Sequence, residues 1–147
     1  MKPSQRMQPA LELARERLRT AALKLADVQF RYEQKQQKLR ELESYRDEYM
    51  HGLLRKSRDG LQMVQMKDYN LFLDRLNQAI HQQHQMLEGM RVEVELCAQQ
   101  WRQEQVRVDA LDKVVERKVQ SERREADRLE QLECNEHTRR GWRRELT

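Results

Sequence analysis

His81, His84 and Glu88 come closest, by type and spacing, to metal chemistry. Steps of three and four put them on one helical face, and two imidazoles with a carboxylate are ligands that zinc accepts. No fourth ligand and no enclosing fold can be read beside them, so solvated surface outweighs a metal centre. His51 and His137 have no helper nearby in sequence. The 25 carboxylates are ample for acid–base work, but such work needs one held out of water in a cleft, which thin helical architecture does not supply. The four glycines are scattered and form no phosphate-cradling loop. Cys97 and Cys134 form no CxxC pair and no disulfide framework, which points to a reducing compartment. The expectation is a chain without catalytic residues, metal or cofactor.

The elements behind these residues are helices. Charged and hydrophobic residues each make up 37% of the 147 positions, and mean hydropathy is −1.10. With few aromatics and a 3.5-residue period, that balance describes a coiled coil rather than a disordered chain. Between positions 66 and 115, alternating steps of three and four pass through Tyr69, Leu73, Leu76, Ile80, Leu87, Val94, Cys97, Trp101 and Val108. Only Gln83 and Glu104 on that stripe are polar. A second stripe runs from 11 to 53 and is interrupted by Lys35 and Arg46, whose stems can lie over a seam while the charge reaches water.

Pro3 and Pro9 are the only prolines, and Pro9 fits the first turn of a helix. Ser57, Arg58, Asp59 and Gly60 give the turn signal between the stripes. The spacing predicts an all-α antiparallel coiled-coil hairpin in a single domain over 1–147. Its parts are helix 1 over about 5–56, a loop over about 57–63, helix 2 over about 64–138 and a basic tail over 139–147. A turn centred on Gly60 sets residue i against roughly 120 − i, so helix 1 has nothing to offer beyond about Val115. The second stripe fails at the same place, through Lys118, Glu122 and Glu125. About 30 Å of charged helix should then overhang, supported by Arg123–Asp127 and Glu125–Arg128 pairs worth a few tenths of a kcal/mol each. Gly141 is expected at or just past the helix end. Arg139, Arg140, Trp142, Arg143 and Arg144 read as a solvated end, with an anionic partner as the sharper alternative.

Charge and hydropathy narrow the partners. The net charge is +4, with the positive excess in the first 60 residues; this is a lean rather than the basic block of a dedicated nucleic-acid binder. No apolar run reaches membrane-spanning length, so membrane association would come only through a partner. Phe72 stands beside the seam and, with Leu76, Ala79 and Gln83, traces an adjacent stripe. One reading caps the hairpin tip with Phe72 packed on Tyr49 and Leu53. The other opens the stripe to a partner, as in helix-in-groove recognition.

The residues Leu42, Glu43, Ser44, Tyr45, Arg46, Asp47, Glu48 and Tyr49, followed by Tyr69, Phe72, Leu73, Leu76, Ala79, Ile80 and Gln82, resemble the turn signature of the FliJ family of flagellar export proteins. Trp101 and the stretch from Leu111, Asp112 and Lys113 to Arg117 also fit. The resemblance implies an antiparallel coiled coil similar to the central stalk of rotary ATPases. It further implies entry into the hexameric ring of a FliI-like export ATPase, contact with a FlhA-like membrane export gate, and handling of export chaperones. It implies no catalytic residues, and a cytoplasmic protein held peripherally at the inner membrane.

Phe72, Leu76 and Ala79 match the family's gate-binding face. Gln83 departs from the histidine of some members, and His84 beside it points elsewhere. Arg15, Arg19, Arg123, Arg124 and Arg128 are the expected contacts to the ATPase ring. The nearest rival is the equivalent stalk of a virulence type III secretion system. A rival of another class is a basic nucleic-acid-binding coiled-coil arm, which would lose affinity steeply with salt.

Overall fold

The computed structural model describes residues 1–60 and 62–146. Leu61, inside the expected loop, and Thr147, at the end of the expected tail, lie outside the described residues. The chain is all-α. Helix α1 spans Pro3–Arg58 and α2 spans Met63–Leu146, and the two pack against each other. Gly60 turns the chain between them with φ of 92°, a conformation glycine adopts without a Cβ penalty.

Packing divides the chain into two compact units, residues 21–101 and residues 1–20 with 102–146. In the first, Leu39, Leu76 and Ile80 form a buried cluster with Leu42 and Leu87 packed against it. In the second, Leu11, Ala14, Val108 and Val115 are buried. Every position of both expected stripes is buried or half-buried, including the polar Lys35, Arg46, Gln83 and Glu104. The long stems of lysine and arginine let these positions join a seam without burying the charge.

Three features differ from the sequence-based expectation, whereas the bend falls where the Asp59–Gly60 signal put it. The ring contacts of Tyr49 with Tyr69 and Phe72 keep the register of a Gly60-centred bend, and the polar pairs Arg15–Asp112, Glu43–His84 and Lys56–Tyr69 reach five to seven residues further along α2 because long side chains on both helices lean toward their own N-termini.

Helix α1 begins earlier, at Pro3, and carries Pro9 inside it. Pro3 costs nothing in a first turn. Pro9 removes one donor from the ladder, and the turn before it is held from outside by Glu122. Pairing therefore reaches Glu122 rather than stopping near Val115. Finally, α2 does not end near 138: it runs through Gly141 to Leu146, so the basic tail is helical as far as it is described. A glycine inside a helix costs only about 1 kcal/mol relative to alanine.

Candidate functional site

The tip of the hairpin, within residues 21–101, holds a cluster of aromatic rings. Tyr49 of α1 lies 4.6 Å from the Phe72 ring and 5.1 Å from the Tyr69 ring of α2, both tilted, and Tyr45 follows at 6.4 Å. Tilted pairs at these separations suit the ring quadrupoles. Tyr49 and Tyr69 are seam positions, while Phe72 stands on the flank and is 40% exposed. The packing of Phe72 on Tyr49 is the tip-capping contact read from the sequence. It leaves enough of the ring in solvent for a second contact.

The four residues expected to form one partner-binding face are not equivalent. Leu76 is 9% exposed and belongs to the seam cluster with Leu39 and Ile80, so it is unavailable to a partner unless the helices separate. Ala79 and Gln83 are half-buried. The open apolar surface at this level is Phe72, with Leu71 beside it. Sequence spacing grouped Leu76 with Phe72 because four residues share a helical face. It did not show how far the other helix wraps over that face.

Between the rings and the turn lies a pocket of about 620 Å³ lined by Tyr49, Lys56, Asp59, Gly60, Gln65, Asp68, Tyr69 and Phe72. The Lys56 ammonium donates a hydrogen bond to the Tyr69 hydroxyl and sits 5.1 Å from the centre of that ring. Bonding to the hydroxyl raises the Lys56 pKa and keeps it charged. Burial first, and Tyr69 second, raise the Tyr49 hydroxyl above its ordinary value.

The histidine cluster separates into unrelated contacts. His84 pairs with Glu43 across the helices at 2.7 Å, His81 meets the Gln85 amide at 3.3 Å, and Glu88 accepts from Arg91 at 2.7 Å. The bond from Arg91 lowers the Glu88 pKa. Among the described residues, no group of three or more His, Cys, Asp or Glu side chains is placed to hold a metal ion.

In the unit made by residues 1–20 and 102–146, the pairing ends in a clasp. The Ser4 backbone N–H donates to Glu122 Oε1 at 2.9 Å, and the Ser4 hydroxyl donates to Oε2 at 2.7 Å. The first N–H groups of a helix lack internal acceptors, and a carboxylate there also meets the positive end of the helix dipole. Glu122 thus caps α1 from the other helix. The backbone bond from Ser4, then its hydroxyl bond, lower the Glu122 pKa. A serine four residues from the chain start gave no sequence signal of this role, because its partner is 118 positions away.

Beyond the clasp every described residue of α2, from 123 to 146, is exposed. Of the five arginines expected to meet an ATPase ring, Arg15 is bonded to Asp112 at 3.0 Å and Arg128 to Glu125 at 2.8 Å. Arg19, Arg123 and Arg124 are exposed and make no ion pair among the described residues; the expected Arg123–Asp127 pair is not formed. No helix in the described residues is long and apolar enough to cross a membrane.

The sequence profile of the family described as "Flagellar FliJ protein" matches residues 2–147. The Flagellar FliJ protein of Escherichia coli (strain K12) is 26% identical over 129 residues, covering 88% of this chain and 88% of that one. No solved structure matches significantly. Two long paired helices, an aromatic tip and a match that runs almost from end to end lead to one assignment: the chain belongs to the flagellar FliJ protein family.

Proposed function

We propose that the chain is a non-enzymatic component of the flagellar type III export apparatus. It acts as the central stalk of the export ATPase ring and links that ATPase, the export chaperones and the membrane export gate. The observation that carries this reading is the segment 123–146. It is a helix continued past its partner's first turn, exposed on every side and rich in arginine. A lone helix of this kind is marginal in water and is steadied by entering something. A ring pore offers enclosure, and mixed charges can make polar contacts that change as ring subunits change state. Arg19, Arg123 and Arg124 are the proposed ring contacts, with Arg15 and Arg128 available only by exchanging their present partners.

The gate is met by the tip, through Phe72 rather than through Leu76, with Ala79 and Gln83 at the margin. The protein would then work in the cytoplasm and reach the inner membrane only through that gate. Mixing the full chain with its cognate export ATPase tests the stalk: ring assembly and ATP turnover should both rise. If neither changes, the stalk reading is wrong.

A further inference from the structure

The pocket at the hairpin tip combines two kinds of group that favour a cation with a lysine that competes for them. Tyr49, Tyr69 and Phe72 supply ring faces, whose negative quadrupole attracts positive charge. Asp59 and Asp68 supply carboxylates, and neither makes an ion pair among the described residues. Lys56 shows that an ammonium is accepted beside the site, since its own bonds the Tyr69 hydroxyl at the edge of that ring and leaves the ring faces uncovered. Lys56 reaches only Tyr69, however. The exposed side of Phe72 and the two carboxylates remain, and about 620 Å³ stays open with Lys56 in place. With one ammonium against two carboxylates, the lining carries a formal charge of −1.

We propose that this pocket is a receptor for an arginine side chain presented by a partner protein. A planar guanidinium stacks on a ring while its edge bonds carboxylates, which a compact, strongly hydrated lysine head does less well. A phenol is neutral at physiological pH, and burial raises the Tyr49 hydroxyl further, so the rings contribute faces and not charge. Lys56 then acts as a built-in competitor, which the incoming arginine partly displaces. The inference rests on the gate-facing reading only in using Phe72, and it names no partner beyond the chemistry of the residue presented.

The test uses the full chain and small probes. N-acetyl-arginine methylamide is titrated while NMR follows the ring protons of Tyr49, Tyr69 and Phe72, with the neutral isostere N-acetyl-citrulline methylamide in parallel. The arginine probe should give saturable shifts with a dissociation constant on the order of millimolar, and the citrulline probe should give none. Asp68→Asn should weaken binding by about threefold or more, Asp59→Asn should act in the same direction, and Lys56→Ala should tighten it about threefold by removing a like charge. Circular dichroism checks that each variant keeps its helices. Equal shifts with citrulline, indifference to Asp68→Asn, or no tightening in Lys56→Ala would each overturn the proposal. Failure here leaves gate binding through Phe72 untouched, and loss of gate binding leaves the titration intact, so the two readings fail separately.

Discussion

Phe72 and Leu76 stand four positions apart on α2, and burial separates what a substitution at each would do. Leu76 sits in the seam cluster with Leu39 and Ile80, so Leu76→Ala removes buried methyls and leaves a gap. That should cost about 2–3 kcal/mol of stability. Phe72 has one packed face and one wet face, and Phe72→Ala should cost only about 1 kcal/mol. Thermal unfolding of the two variants checks this; equal losses would mean that the fold depends on Phe72 as heavily as on Leu76. Partner binding is therefore to be read from Phe72→Ala.

Glu122 gives a prediction in pH. Its pKa is lowered in the folded chain by the Ser4 bonds, so the clasp contributes fully above the ordinary glutamate value, about 4.3. That contribution is lost as pH falls through the depressed folded value. Amide exchange at Ser4 and its neighbours should quicken as pH falls below about 4, once corrected for intrinsic pH dependence, and Glu122→Ala should show the same fraying at neutral pH. Protection that is indifferent to the substitution would show that the first turn is held by something else.

At the scale of the helices, the seam and the bend were legible and the helix ends were not. Each position reached by alternating steps of three and four is buried or half-buried, because that period is what keeps one stripe against a partner. The polar members could be located by the same count, though what becomes of them could not. Arg46 reaches across to the Asn77 amide oxygen at 3.5 Å, whereas Glu104 keeps one buried oxygen without a hydrogen bond, with Arg107 no nearer than 3.9 Å.

An unmet buried acceptor is costly, so Glu104→Leu should stabilise the chain by about 1–2 kcal/mol. That would raise the unfolding midpoint by roughly 2–4 °C for each kcal/mol. A lower midpoint would mean that the carboxylate has a partner worth more than the added methyls. The reach of the pairing to Glu122 escaped the sequence reading, and so did the passage of α2 through Gly141, an exposed glycine that costs a helix only about 1 kcal/mol. The first depends on where two distant segments meet, and local spacing records only what one helix offers. The candidate site divides the same way. The packing of Phe72 on Tyr49 could be read from their places at the tip, while the pocket needs Lys56, Asp59 and Asp68 gathered by the turn.

For the molecule as a whole, the proposed roles fall on different parts of the chain and can be separated. The arginine-rich exposed helix belongs to the unit formed by residues 1–20 and 102–146, and the aromatic tip belongs to residues 21–101. A chain ending at residue 122 keeps Ser4 and Glu122, the seam cluster and the buried Leu11, Ala14, Val108 and Val115, so its paired helices should stay folded. It should lose most of its stimulation of the export ATPase while retaining affinity for the cytoplasmic part of the export gate. Phe72→Ala should do the reverse, with ATPase stimulation kept and gate affinity reduced by about tenfold, as loss of an aromatic anchor at an interface commonly gives. The pair of measurements is sharper than either alone, because general destabilisation would depress both activities in both variants. If the shortened chain stimulates the ATPase as well as the full one, the exposed helix is not the stalk's working end. The arginines at 123, 124 and 128 would then have to be explained as solvated surface.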